Sequence, residues 1–265
     1  MKDFRRLGLL LLGLSAAGWA GAQTPAATAA PLPQTEVAKR LGFLPGYLQS
    51  TEMPDSLALL PPPPTAGSPA FLADEEAHRD ALKNRTPERL ALAVADANLR
   101  FPDAAKIFAS ILGVEPSEKG TPHLYVLLRR SLSDAGLASY AAKNHYNRVR
   151  PFAHYNESCF TPESEAALRK DGSYPSGHAA IGWAWALLLS ELAPDRANAL
   201  LKRGYDFGQS RMIGGVHWQS DVDAGRLVGA SALARLHANA EFASEMAAAK
   251  AEIESARVSP APAPK

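Results

Sequence analysis

Three short stretches hold side chains whose types and spacing suit the chemistry of an oxyanion. Lys143 and Arg150 lie seven residues apart. That is almost two helical turns, which would set both cations on one helix face about 10 Å apart. Pro151 disfavours helical geometry at Arg150, so its guanidinium can turn across a pocket. The competing reading is a solvated basic face that also includes Arg148. The second stretch, Gly172 to His178, opens an apolar helix. Backbone N–H groups at a helix start have no helical partner and attract anions. Ser176 adds a hydroxyl and His178 a titratable proton. Its competing reading is a capped helix start with an incidental histidine. The third is Ser210-Arg211 with His217 and, four residues on, Asp221. Such a carboxylate can hold the Nδ1–H of the imidazole and leave Nε2 free as nucleophile or base. The bland alternative is a surface histidine beside an aspartate that satisfies a helix dipole.

Together the three stretches say more than any one of them. Lys143, Arg150 and Arg211 supply charge for a tetrahedral dianion. Ser176 and backbone amides supply directed donors, and two histidines supply a nucleophile and an acid. This set suffices for phosphoryl transfer without a metal, where stabilising charge on the equatorial oxygens is most of the task. His217, Asp221 and Asp223 are also metal-ligand types, but three fixed cations nearby oppose a dication. No metal and no cofactor is therefore expected. A histidine acid paired with a histidine nucleophile predicts an optimum on the order of pH 5 to 6.5.

Lys143-x6-Arg150-Pro151, Pro175-Ser176-Gly177-His178 and Ser210-Arg211-x5-His217-x3-Asp221 resemble the tripartite signature of the type-2 phosphatidic acid phosphatase and haloperoxidase superfamily. Leu59-Leu60 with Pro61 to Pro64, Asp96-Ala97-Asn98, and His217 through Asp223 look like the soluble class A bacterial nonspecific acid phosphatases. The resemblance covers most of residues 45–250. It implies an all-α fold, a periplasmic location and metal-independent hydrolysis of small phosphomonoesters through a phosphohistidine. It assigns the nucleophile to His217, its orientation to Asp221 and leaving-group protonation to His178. Lys143, Arg150, Ser176, Gly177 and Arg211 are implied to hold the phosphoryl oxygens. Members of the family often pair a cysteine matching Cys159 with one between the third-motif arginine and histidine. Here that stretch is Met212-Ile213-Gly214-Gly215-Val216, so Cys159 has no partner and the bridge steadying the loop is missing.

The elements that must position these groups read as helices. Apolar spacing predicts helices over Glu88–Phe101, Asp103–Leu112, Ser133–Asn147, His178–Leu192 and Asp195–Gly208. Thr121-Pro122 reads as a helix start. Ser220 reads as the cap of a last long helix, with Asp223 completing a capping box. Period-two alternation is nearly absent. The expectation is one all-α domain of about eight helices over residues 40–250. Pro61 to Pro64 cannot be helix or central strand.

Composition agrees. Apolar residues are 46% and charged residues 21% of 265, the balance of a globular protein. A net charge of +1 gives no electrostatic case for nucleic acid. A single cysteine excludes an intramolecular disulfide framework. Residues 1–22 read as a signal peptide: Lys2, Arg5 and Arg6, the apolar run Leu7 to Leu14, then Ala20-Gly21-Ala22. Residues 23–39 and 251–265 read as flexible Ala/Pro-rich segments. The longest later apolar run, Ala179 to Leu189, suits a buried helix and no membrane span. Oligomeric state is not readable from the residues; the resemblance alone suggests a homo-oligomer. The competing functions are a vanadate-dependent haloperoxidase on the same oxyanion cradle and a periplasmic phosphate-binding protein. The latter would have no use for two positioned histidines.

Overall fold

The computed structural model describes residues 38–39 and 42–258. The expected signal peptide, its cleavage point after Ala22, most of the 23–39 segment and the last seven residues lie outside the described residues. Among those described there is no strand, and eight helices have seven residues or more. They are α1 (Pro69–Lys83), α2 (Pro87–Asp96), α3 (Pro122–Leu137), α4 (Tyr140–Tyr146), α5 (Gly177–Leu192), α6 (Ala197–Ile213), α7 (Gln219–Leu236) and α8 (Ala240–Val258). One-turn helices at Ser56–Leu59, Ala109–Leu112, Pro151–His154 and Glu165–Leu168 join them. None of the described helices is long and apolar enough to cross a membrane.

The architecture follows from α5. Its sequence is apolar on every side, and a helix of that kind must be surrounded. It packs against α3, α6, α7 and α8, and Trp185, Ile181, Leu188 and Leu189 are buried at the centre of the core. The Trp185 indole still finds acceptors, the Leu128 carbonyl at 3.1 Å and Ser131 Oγ at 3.2 Å. Glycines allow backbones to meet here. A Cβ on Gly225 or Gly229 of α7 would collide with the Ser176 or Ala180 carbonyl, and one on Gly182 of α5 would strike the Phe207 ring of α6. The start of α5 is thus clamped to α7, and Ser176 N–H donates to the Asp221 carbonyl at 2.9 Å.

Several boundaries differ from the sequence reading, each for a local reason. The helix expected over Glu88–Phe101 stops at Asp96; Ala97 caps it, and the Ala97 carbonyl accepts from His178 Nε2 at 3.2 Å. Asp103–Leu112 is two short pieces, a 3-10 turn at Asp103–Lys106 and Ala109–Leu112. Ser133–Asn147 is broken at Ala138-Ser139, where the buried Ser139 hydroxyl donates back to the Gly136 carbonyl at 2.7 Å. Pro122 opens α3 as expected, but Thr121 Oγ1 accepts from Ser117 N–H instead of capping. The free amides of His123 and Leu124 donate to Glu252 of α8 at 3.0 and 2.9 Å. Ser220 is not the cap of α7. Trp218 is, and Asp221 at the third position accepts the Trp218 N–H at 2.8 Å. The helix α8 was not foreseen; it continues through Val258, past residue 250, and buries Phe242, Ala249 and Ile253. The four prolines from Pro61 run outside any helix, and the Pro61 carbonyl accepts from Tyr174 OH at 2.8 Å.

Candidate active site

Lys143, Arg150, Gly177, His178, Arg211 and His217 line one cavity of about 370 Å³. Lys143 and Arg150 do not share a helix face. Helix α4 ends at Tyr146, Asn147 takes a left-handed conformation (φ 41°), and the chain runs extended through Arg150. Asparagine tolerates that conformation through its short polar side chain. Pro151 holds Arg150 at φ −75°, ψ 152°, as expected of a residue before proline. The turn thus brings both cations into the cavity by a route other than helical spacing.

Each cation is buried, and each is held differently. Lys143 Nζ donates to the Gly172 and Pro175 carbonyls at 2.7 and 2.9 Å. Arg150 is tied on every nitrogen. Its Nε reaches the Leu168 and Asp171 carbonyls, Nη1 the Val216 carbonyl, and Nη2 the Asp171 carboxylate and Gly172 carbonyl. Arg211, on α6, is 3% exposed, and its Nε and Nη1 have no hydrogen-bond partner. Its guanidinium lies 5.3 Å from the Phe160 ring. A buried guanidinium with idle donors is costly unless an anion arrives to meet it.

Geometry fixes the tautomers of both histidines. Arg150 Nη1 stands 3.0 Å from His217 Nε2. A guanidinium only donates, so Nε2 must be the unprotonated nitrogen. The proton therefore sits on Nδ1, which faces Asp221 Oδ2 at 3.3 Å. For His178, Nε2 lies 3.2 Å from the Ala97 carbonyl, which only accepts, so Nδ1 is the nitrogen left to exchange a proton. Its ring stacks on Phe207. Ser176 caps α5 by accepting the Ala179 N–H at 3.2 Å, and its hydroxyl hydrogen remains available to donate.

Burial and crowding of like charges set the electrostatics. Burial first, then Arg150, Lys143 and Arg211, push the His217 pKa well below its ordinary value. Burial first and then Arg211 do the same to His178. Lys143 falls to about 8, from burial and then the Arg150 charge, with Asp171 opposing. Arg211 falls to about 9, from burial and then Arg150. Burial raises the Asp221 carboxyl, opposed chiefly by Arg148. All four of these downward shifts have one origin, burial of three cations and two imidazoles close together.

All eight residues expected from the sequence come together around this cavity or directly behind it. Asp223, the third member of the metal alternative, does not join them; it accepts from Gln219 and Arg226 on the exposed side of α7. Arg148, which belongs to the competing solvated-face reading of the first cluster, has a side chain only 8% exposed that forms a buried link. Its Nη1 donates to Asp221 Oδ1 at 2.6 Å and its Nη2 to Asp74 Oδ2 at 2.7 Å, while Asp74 also takes the Ser220 N–H. Asp74, inside an exposed-looking acidic run of α1, gave no signal in the sequence. Asp96 was noted only within a resemblance; it is 1% exposed, pairs with Arg203 and accepts from Ser210 at 2.6 Å, which seats α6 and Arg211. Cys159 is free and buried. Where a bridge is missing, Phe160 N–H donates to the Gly214 carbonyl and Phe152 N–H to that of Gly215, and the Phe160 ring packs flush on Gly214.

Residues 124–243 match the PAP2 superfamily. The chain is 47% identical over 207 residues to the non-specific acid phosphatase of Providencia stuartii, covering 78% of this chain and 84% of that protein. It is 43% identical over 203 residues to the non-specific acid phosphatase of Salmonella typhimurium, covering 76% and 81%. With the acid phosphatase of Zymomonas mobilis it shares 40% identity over 205 residues, covering 77% and 78%. Likeness at that level across most of both chains, with the signature side chains gathered at one cavity, places this protein among the non-specific acid phosphatases of the PAP2 superfamily.

Proposed function

We propose that the protein hydrolyses small phosphate monoesters, without a metal, through a phosphohistidine. Lys143, Arg150, Arg211, Ser176 and the amide of Gly177 hold the phosphoryl oxygens. His217 Nε2 attacks phosphorus as the bond to the leaving oxygen breaks, and His178 gives that oxygen its proton. For this, Arg150 Nη1 shifts from Nε2 to a phosphoryl oxygen, which frees the nitrogen's lone pair as substrate binds. Asp221 stabilises the charge that develops on the imidazole. Water then attacks the phosphohistidine, His178 takes its proton and the P–N bond breaks. An alcohol in place of water gives phosphotransfer by the same step. The observation that carries this reading is Arg211, buried with two donors idle, in the same cavity as His217, whose Nε2 is the unprotonated nitrogen, and His178, whose Nδ1 is left to exchange a proton.

Turnover of p-nitrophenyl phosphate, undiminished by dialysis against a chelator and inhibited by vanadate, is the expected result. Tight phosphate retention without turnover would make this a binding protein. Chelator-sensitive activity restored by added zinc or magnesium would refute the metal-free mechanism. We place the enzyme in the periplasm, with residues 1–22 removed on export. The N-terminal sequence of protein from the periplasmic fraction should begin at Gln23; an intact Met1 there would contradict cleavage.

A further inference from the structure

Phe43, Leu99 and Arg100 each line two cavities, the catalytic one and a second of about 400 Å³. The second has apolar walls from Phe43, Leu99, Phe101 and Leu132, and its charged lining is all cationic, with Arg100 and Arg129 prominent and no carboxylate among the lining residues. Among the described residues, Arg129 stands 3.9 Å from Glu118, beyond hydrogen-bond range, and Glu118 is itself 70% exposed. The Arg129 guanidinium stands 5.8 Å from the Phe101 ring, against the cavity's aromatic wall. The Arg100 backbone is fixed by its N–H donating to Asn98 Oδ1 at 3.0 Å, next to the Ala97 carbonyl that orients His178.

We infer that this second cavity is a leaving-group subsite for a second anion. The enzyme then favours phosphomonoesters whose leaving group itself carries a phosphate or carboxylate. The inference rests on the phosphatase reading above. A phosphoryl group seated at Lys143, Arg150 and Arg211 places its leaving oxygen near His178. A leaving group that extends from there past Phe43, Leu99 and Arg100, which line both cavities, reaches the second one. An apolar or aromatic body fits Phe43 and Leu99, and a distal anion meets the guanidinium forks of Arg100 and Arg129. Binding energy gathered at such a remote group tightens substrate binding without touching the reacting atoms.

The test compares p-nitrophenyl phosphate, adenosine 5′-monophosphate and adenosine 3′,5′-bisphosphate on the wild type, Arg129→Ala and Arg129→Glu. Arg129 lies outside the catalytic cavity, so its variants should keep wild-type rates on p-nitrophenyl phosphate, which also reports correct folding. The wild type should prefer the bisphosphate by more than the twofold that two scissile groups give. Arg129→Ala should lower kcat/KM for the bisphosphate by about fivefold, through KM, the upper range for a solvent-facing charge pair. Arg129→Glu should lower it further, with the 5′-monophosphate much less affected. In the wild type, added salt should erode the bisphosphate preference, which tests the same point without a variant. Equal losses on both nucleotides, or a preference indifferent to salt, would overturn the subsite. A wild type inactive on p-nitrophenyl phosphate would instead refute the phosphatase reading itself.

Discussion

At Arg211, stability and catalysis make opposite demands. Its side chain is buried, its pKa is pushed down to about 9 by burial and by Arg150, and two of its donors are idle. Removing a buried guanidinium with two idle donors should relieve the ligand-free protein, whereas removing a donor from a transition state typically costs a hundredfold or more. Arg211→Met should therefore raise the ligand-free Tm, lose at least about a hundredfold in kcat/KM and lose the Tm increase that inorganic phosphate gives the wild type. A lower Tm with activity retained would show that the guanidinium is structural. Arg148 acts one layer behind. It holds down the pKa of a carboxyl that burial raises, so Arg148→Ala should push that pKa further up and weaken Asp221 as an acceptor for His217. The loss expected for a supporting group is about 10- to 100-fold. Because Asp221 ionises again as pH rises, the variant's kcat should recover toward the alkaline side; a uniform loss at all pH values would mean only disturbed packing. The residues that touch substrate in this account were legible because each carries a distinctive type at a fixed spacing. Arg148, Asp74 and Asp96 were not, because a surface charge and a buried pair look alike until the chain folds them together.

At the scale of elements, α8 shows what periodicity can and cannot deliver. Phe242, Met246, Ala249, Ile253 and Ala256 recur at intervals of four and three and face the core, yet the segment is so alanine-rich that its inner face differs little from its outer one. Its tertiary role was invisible: Glu252 caps α3, and Arg257 donates to the Leu112 carbonyl. Truncation after residue 250 removes that cap and the fully buried Ile253. A lost cap costs about 1 kcal/mol and a deleted core isoleucine about 2–5 kcal/mol, so Tm should fall sharply in differential scanning calorimetry. An unchanged Tm would mean that the helix is dispensable. The strongly apolar α5 and the signature turn at its start were readable because composition alone demands burial. The breaks at Ser139 and Asn147 were not, since each depends on where the next segment packs.

For the whole molecule, the cavity is a positive field enclosed by helices, and that field sets the pH range. In the proposed mechanism His217 must be unprotonated to attack, and burial with three neighbouring cations keeps its pKa well below 6.5. The acid limb of kcat/KM, which reports the free enzyme, should therefore lie well below pH 6.5, further into acid than an ordinary histidine pair implies. Burial and then Arg211 lower the His178 pKa as well, so its proton is expected to enter with the substrate monoanion or on binding. Above about pH 6, where a phosphomonoester loses its second proton, kcat/KM should fall. Lys143, with its pKa brought down to about 8, adds to the decline as it loses charge. A pH–rate profile measures both limbs; an acid limb at or above 6.5 would show that the cations do not act on His217.

In the proposed reaction phosphorus becomes bonded to His217, and one trapping experiment tests that bond directly. His178→Ala still holds the nucleophile but lacks the group that activates water, so with p-nitrophenyl phosphate, whose leaving group needs no proton, phosphoenzyme should accumulate. Quenched under alkaline denaturing conditions with labelled substrate, it should carry base-stable, acid-labile phosphate on the peptide containing His217, and the His178→Ala/His217→Ala double variant should carry none. Label on Ser176, or label that survives the loss of His217, would contradict the account.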